Sequence, residues 1–72
     1  MDVSKMIEVL KEFIALKETQ DEIQRRIAAL ELLYKEEQIS DEEYLKALLV
    51  AKADTKAGLE RLEVLKEQIS KL

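Results

Sequence analysis

The chain has 72 residues, of which 47% are hydrophobic and 39% are charged, and it contains no Cys, His, Pro or Trp. Without His and Cys it lacks the commonest general base, the thiol nucleophile and the usual zinc ligands, so we predict no catalytic residue, no metal site and no cofactor. A net charge of −4 argues against a typical nucleic-acid binder.

The apolar runs are too short for a membrane span, which needs roughly 20 residues. The N-terminus also lacks the basic region of a signal peptide, because Asp2 follows Met1. We therefore expect an unexported, cytoplasmic protein with no membrane partner.

Apolar residues recur at helical spacing along almost the whole chain, which predicts an all-α fold. Alternating steps of three and four residues trace one heptad seam of a and d positions, with Met6 as position a. In the first half the seam contains Met6, Val9, Phe13, Leu16, Gln20, Ile23, Ile27, Leu30 and Tyr34, and in the second half Tyr44, Leu48, Ala51, Thr55, Gly58, Leu62, Leu65, Ile69 and Leu72.

The two halves of the seam are separated by a signal for the start of a helix. Ser40 and Glu43 have the spacing of a capping box, and Ile39 and Tyr44 have that of the accompanying hydrophobic staple. We predict a single domain over residues 1–72, with a helix over about 4–37, a turn over about 38–40 and a helix over about 41–71. The two helices would form an antiparallel, coiled-coil-like hairpin, which pairs seam residues whose numbers add up to about 78.

Two other arrangements fit the same periodicity. One is an unbroken helix of about 70 residues that forms a parallel coiled coil, although it would bury Glu37 and Asp41 beside their copies. The other is a three-helix fold in which the first helix breaks at Thr19, where Thr19 and Glu22 also match a capping box.

One polar seam residue, Gln20, faces the only glycine, Gly58, in the hairpin register. Glycine inside a helix costs about 1 kcal/mol relative to alanine, so its presence predicts a close approach of the helices or room for the Gln20 side chain. The alternative is a tolerated, partly exposed glycine.

Seven large apolar residues outside the seam fall at e and b positions, which widen one side of an antiparallel hairpin. We call these candidate partner-binding residues the e/b face: Val3, Ile7, Leu10, Ile14, Leu45, Leu49 and Leu59. They predict self-association, with two hairpins packed end for end as a homodimeric four-helix bundle, or a higher oligomer. The same residues could instead pack inside a globular three-helix fold or receive a helix from another protein. The predicted function is a non-enzymatic protein–protein interaction or oligomerisation module, such as a small regulator or assembly factor.

The alternative function is nucleic-acid binding by a helical dimer of the Rop kind. The candidate basic residues are Arg25, Arg26, Lys46, Lys52 and Lys56. No aromatic residues are interleaved with them, as base stacking would require.

Residues 30–44, LELLYKEEQISDEEY, contain an apolar helix, a short turn and the pattern I-S-D-E-E-Y. This segment resembles the core of the SHOCT-type short helical hairpin. The resemblance covers about a fifth of the chain and implies a helical hairpin suited to oligomerisation, with no catalytic residues. The turn glycine frequent in that family is absent, and Glu37 and Gln38 stand in that region.

Overall fold

The computed structural model describes residues 2–71, which form two α-helices packed side by side in opposite directions. Helix α1 spans Val3–Lys35 and helix α2 spans Asp41–Ser70. The hairpin measures 53 × 15 × 14 Å, and its described residues contain no strand. The predicted helical hairpin is therefore confirmed at this level, and the continuous rod is wrong because the chain reverses after Lys35.

Helix α1 continues without a break through Thr19, so the three-helix alternative is also wrong. The Thr19 hydroxyl donates to the carbonyl of Ala15 at 2.9 Å, one turn earlier in the same helix. A threonine within a helix commonly makes this bond instead of acting as a cap.

Helix α1 ends at Lys35 rather than near residue 37, because Glu37 adopts the left-handed backbone conformation with φ 58°. The Glu37 amide donates to the carbonyl of Tyr34 at 3.1 Å, and the Gln38 amide donates to the carbonyl of Leu33 at 2.9 Å. These two bonds form a Schellman motif, which satisfies carbonyls at the helix end and usually places glycine at the left-handed position. A glutamate there gives no signal in the sequence, so the helix ends earlier than its periodicity suggests.

Helix α2 begins with the capping box. The Glu43 amide donates to the Ser40 hydroxyl at 3.1 Å, and the Ser40 amide donates to the Glu43 carboxylate at 3.2 Å. Three acidic residues occupy the first turn, where the positive end of the helix dipole favours them. Local sequence therefore determines where the second helix starts.

Two tyrosines join the helices beside the turn. The rings of Tyr34 and Tyr44 stack with their centroids 4.4 Å apart and their planes 10° from parallel. The Tyr34 hydroxyl donates to the Asp41 carboxylate at 2.7 Å. This hydrogen bond is the largest cause that raises the pKa of Tyr34 above its ordinary value, and the negative charge of Asp41 is the second. The pair links the last turn of α1 to the first turn of α2.

The buried core of the hairpin is small: Ile23, Leu62 and Leu65 are buried, and Leu65 is only 1% exposed. Leu62 and Leu65 lie in the half farther from the turn, whereas Ile23 lies near the middle of the hairpin, on the side of the turn. Seam residues nearer the turn, such as Leu30 and Leu48, remain partly exposed. A chain of this size buries little apolar surface, so much of its apolar area still faces water.

Gln20 lies directly against Gly58, as the hairpin register predicts. A Cβ atom added at Gly58 would overlap Nε2 of Gln20 and would lie 2.9 Å from Cδ. The same Nε2 donates to the backbone carbonyl of Thr55 at 3.2 Å, whereas Oε1 is buried and has no hydrogen-bond partner within the described residues. The glycine therefore provides the space that the glutamine side chain occupies.

An ion pair between the helices stabilises the half of the hairpin that lies farther from the turn. Nε of Arg61 donates to one Glu12 carboxylate oxygen at 2.9 Å, and Nη2 donates to the other at 3.0 Å. Both side chains are about half exposed, so the pair is worth at most about 1 kcal/mol. Its fork geometry nonetheless favours a single register of the two helices.

Candidate protein-interaction surfaces

All seven residues of the e/b face lie on the outside of the hairpin. Their exposed fractions range from 41% for Leu10 to 67% for Val3. These side chains are therefore not packed in the interior, as they would be in a three-helix globular fold. Scattered exposed leucines are ordinary, but several large apolar residues in one region usually indicate a contact surface.

The e/b face has one apolar patch at each end of the hairpin. The open-end patch lies in the first half of α1 and contains Val3, Ile7, Leu10 and Ile14, whereas the turn-end patch lies in the first half of α2 and contains Leu45 and Leu49. Leu59 lies between the two patches, in a shallow hollow of about 560 Å³ that Lys52 and Lys56 also line.

Polar residues occupy the middle of this face. Lys17 and Asp21 on α1 and Lys52 and Lys56 on α2 are exposed, and the Lys17 ammonium lies 5.6 Å from the centre of the Phe13 ring. A partner that covers both patches must therefore also contact this charged stretch.

The opposite side, at g and c positions, carries a second surface that the sequence pattern did not identify. Two adjoining hollows of about 470 and 370 Å³ lie in the groove between the helices, and both are lined by Ile23, Arg26 and Asp54. We call these two hollows together the g/c trough. Its signal in the sequence is weak, because alanines form much of its wall and alanine is common at every helix position.

The basic residues considered for nucleic-acid binding do not share one side of the hairpin. Arg26 lies beside the g/c trough, whereas Lys52 and Lys56 line the hollow on the e/b face. Arg26 contacts Glu22 at 3.2 Å, and Lys46 contacts Glu42 at 3.1 Å. These positive charges are dispersed or paired, which does not favour a continuous path for a phosphate backbone.

Residues 2–71 contain no group of three or more acidic side chains placed to hold a metal ion. Neither described helix is long and apolar enough to cross a membrane.

Comparison of the chain with protein-family models, with curated proteins and with solved structures finds no match. The class of molecule rests on the geometry alone, which is that of a two-helix antiparallel hairpin. The resemblance of residues 30–44 to SHOCT-type hairpins stays a prediction.

Proposed function

We propose that this chain is a non-enzymatic protein-interaction module that associates with a second copy of itself through the e/b face. The observation that carries the proposal is the exposure of seven large apolar side chains on one side of a hairpin that buries only three apolar residues in its described part. Water contact with these side chains is unfavourable, and a second hairpin would remove it.

The two patches favour an end-for-end arrangement, in which the open-end patch of each chain meets the turn-end patch of the other. In the hairpin register, Lys66 is the e residue beside Leu10, and Glu31 is the e residue beside Leu45. End-for-end packing would bring Lys66 of one chain near Glu31 of the other, whereas packing with both turns at one end would bring each charge near its own copy. The first arrangement is electrostatically favourable and closes with two-fold symmetry.

Most of the e/b face has to take part for the dimer to be stable. Covering a half-exposed side chain contributes about 1 kcal/mol, which is half of the value for full burial. Association costs an estimated 4–15 kcal/mol in lost freedom of motion, so one or two side chains cannot offset it. A charge placed within either patch should therefore disrupt the whole contact.

Two leucines with equal exposure provide the test. Leu45 on the e/b face and Leu32 at an f position on α1 are both 56% exposed. We expect Leu45→Glu, and likewise Leu10→Glu or Leu49→Glu, to reduce the mass in solution to the single-chain value of 8.3 kDa while circular dichroism shows retained helicity. Leu32→Glu should leave the mass of the parent protein unchanged.

Light scattering coupled to size-exclusion chromatography, or sedimentation equilibrium, measures these masses. The proposal fails if the parent chain is a monomer at every soluble concentration, or if Leu45→Glu keeps the mass of the parent. Equal dissociation by Leu32→Glu would place the contact on another side of the hairpin. Steeply salt-dependent binding to RNA would support the nucleic-acid alternative instead.

A further inference from the structure

The hollow of the g/c trough nearer the turn is apolar, open and walled by small side chains. Its volume is about 470 Å³, and its wall contains Ala29, Leu33, Ala47 and Val50 over a floor formed by Ile23, Leu30 and Ala51. Val50 is 63% exposed and Leu33 is 40% exposed, so apolar area lies open to water around the hollow. A groove with alanines on both walls has room for a ridge of larger side chains from a third helix.

The trough has the length of a short helix. Its two hollows extend from Leu16 to Leu33 along α1, which corresponds to roughly 25 Å at the helical rise of 1.5 Å per residue. A helix of about 14 to 17 residues would fill it, with apolar side chains spaced by three and four positions along one face.

The charges around this hollow are predominantly acidic. Arg26 is directed to Glu22 at 3.2 Å, whereas Asp54 on the facing wall has no ionic partner among residues 2–71. Glu36 and Glu43 occupy c positions on the same side, between the hollow and the turn, and both are exposed. The complement to such a rim is an apolar helix face flanked by lysine or arginine.

The charge balance also distinguishes this side from the e/b face. The e and b positions from residue 2 to 71 carry five lysines against four acids, whereas the g and c positions carry six acids against four basic residues. Two copies that met through their troughs with both turns at the same end would bring Asp54, Glu36 and Glu43 close to their own copies. A second copy in this arrangement is therefore a poor occupant, because like charges would be desolvated together.

From this geometry we propose that the g/c trough binds one amphipathic helix of a different protein, with an apolar inner face and basic flanks. The trough and the e/b face lie on opposite sides of the hairpin, so both can be occupied at once. Each chain would then bind a copy of itself through the e/b face and a basic helical segment of another protein through the trough.

The probe is a 14-residue helical peptide of leucine and lysine, with leucines at positions i, i+3, i+4 and i+7, compared with a peptide in which glutamate replaces every lysine. Titration of the isotope-labelled full chain, followed by amide chemical shifts, locates the binding surface, and calorimetry gives Kd. We expect the lysine peptide to shift the amides of Ala29, Ala47, Val50 and Asp54, and the glutamate peptide not to bind.

Two valines at c positions of α2 separate trough binding from general attraction to an acidic protein. Val50 lines the trough, whereas Val64 is exposed on the same side but lies outside both hollows. Val50→Lys and Val64→Lys change the net charge equally. We expect Val50→Lys to raise Kd for the lysine peptide at least tenfold and Val64→Lys to change it less than twofold.

Several results would overturn this proposal. They are absence of binding, equal binding of the glutamate peptide, equal effects of the two valine variants, and shifts confined to the e/b face. Repeating the titration on Leu45→Glu tests the two surfaces independently. This variant should lose self-association through the e/b face and still bind the peptide at the trough. Binding of further copies of this chain to the trough would appear as growth of open chains of molecules and would contradict the proposed partner.

Discussion

Replacing Gly58 with alanine tests the packing between the helices most directly, because two effects of opposite sign compete at this position. Alanine is about 1 kcal/mol more favourable than glycine inside a helix. The added Cβ would, however, overlap Nε2 of Gln20, and the three nearest atoms that it would meet outside its own helix backbone all belong to Gln20.

The cost of the substitution follows from what the glutamine would lose. Its Nε2 would have to leave the Thr55 carbonyl, a bond worth about 0.5–1.5 kcal/mol. Its Oε1 already lacks a partner in the parent protein, so the substitution adds one newly unsatisfied atom, Nε2, which costs about 1–3 kcal/mol where it stays buried. We expect the loss to exceed the gain in helix propensity and Gly58→Ala to lower the free energy of unfolding by about 1 kcal/mol.

In a protein that lacks the Gln20 side chain, Gly58→Ala should change the free energy of unfolding in the opposite direction. In Gln20→Ala the obstructing side chain is absent, so Gly58→Ala should raise the free energy of unfolding by about 1 kcal/mol. The coupling energy between the two positions is then about 2 kcal/mol, which is well outside the error for independent sites. Urea unfolding followed by circular dichroism measures all four proteins, at equal chain concentration because self-association would make stability depend on concentration.

The decisive outcome is the difference between the two backgrounds, not the stability of any single variant. If Gly58→Ala stabilises the protein by the same amount with and without Gln20, the glutamine does not occupy the space at Gly58 and the close packing of these two residues is refuted. Glycine at position 58 would then be merely tolerated.

Two further predictions concern the turn. Ser40→Ala should lower the free energy of unfolding by about 1 kcal/mol, because it removes the oxygen that caps α2 at Glu43, whereas Ser40→Asp should keep most of the stability, and equal loss in the two variants would contradict the role of the cap. Because the folded-state pKa of Tyr34 is raised above its unfolded value, its contribution to stability is present below the unfolded pKa and is lost as pH rises through the folded one. Phenolate absorbance should show Asp41→Asn shifting this titration to lower pH, and an unchanged titration would show that the Asp41 contact does not form.

The sequence contained enough information to predict the hairpin and the start of its second helix. Both capping bonds join Ser40 to Glu43, three positions along the chain, so the spacing of these two residues is sufficient to identify the cap. The contact between Gln20 and Gly58 followed from the register, because the two residues occupy facing seam positions and neither is a large apolar residue. Features of this kind depend only on residue type and spacing, which the sequence displays directly.

Features that depend on an unusual backbone conformation or on contacts between distant residues were less accessible. Nothing in the residue type of Glu37 indicates a left-handed conformation. The fork between Arg61 and Glu12 depends on the side-chain conformations of residues 49 positions apart, and charge spacing within one helix cannot reveal it. The g/c trough could not be predicted because alanine and valine at g and c positions give a weaker apolar pattern than the leucines and isoleucines of the e/b face.

The location of the core has a consequence for how the hairpin opens. A short connection makes contacts near the turn cheapest to form in entropy, so a simple zipper would close from the turn and fray from the free ends. Here Leu62 and Leu65, the most deeply buried side chains of α2, lie in the half near the free ends, which would open first. Unzipping must therefore break the strongest packing first, which favours a cooperative, all-or-none separation of the arms over gradual peeling.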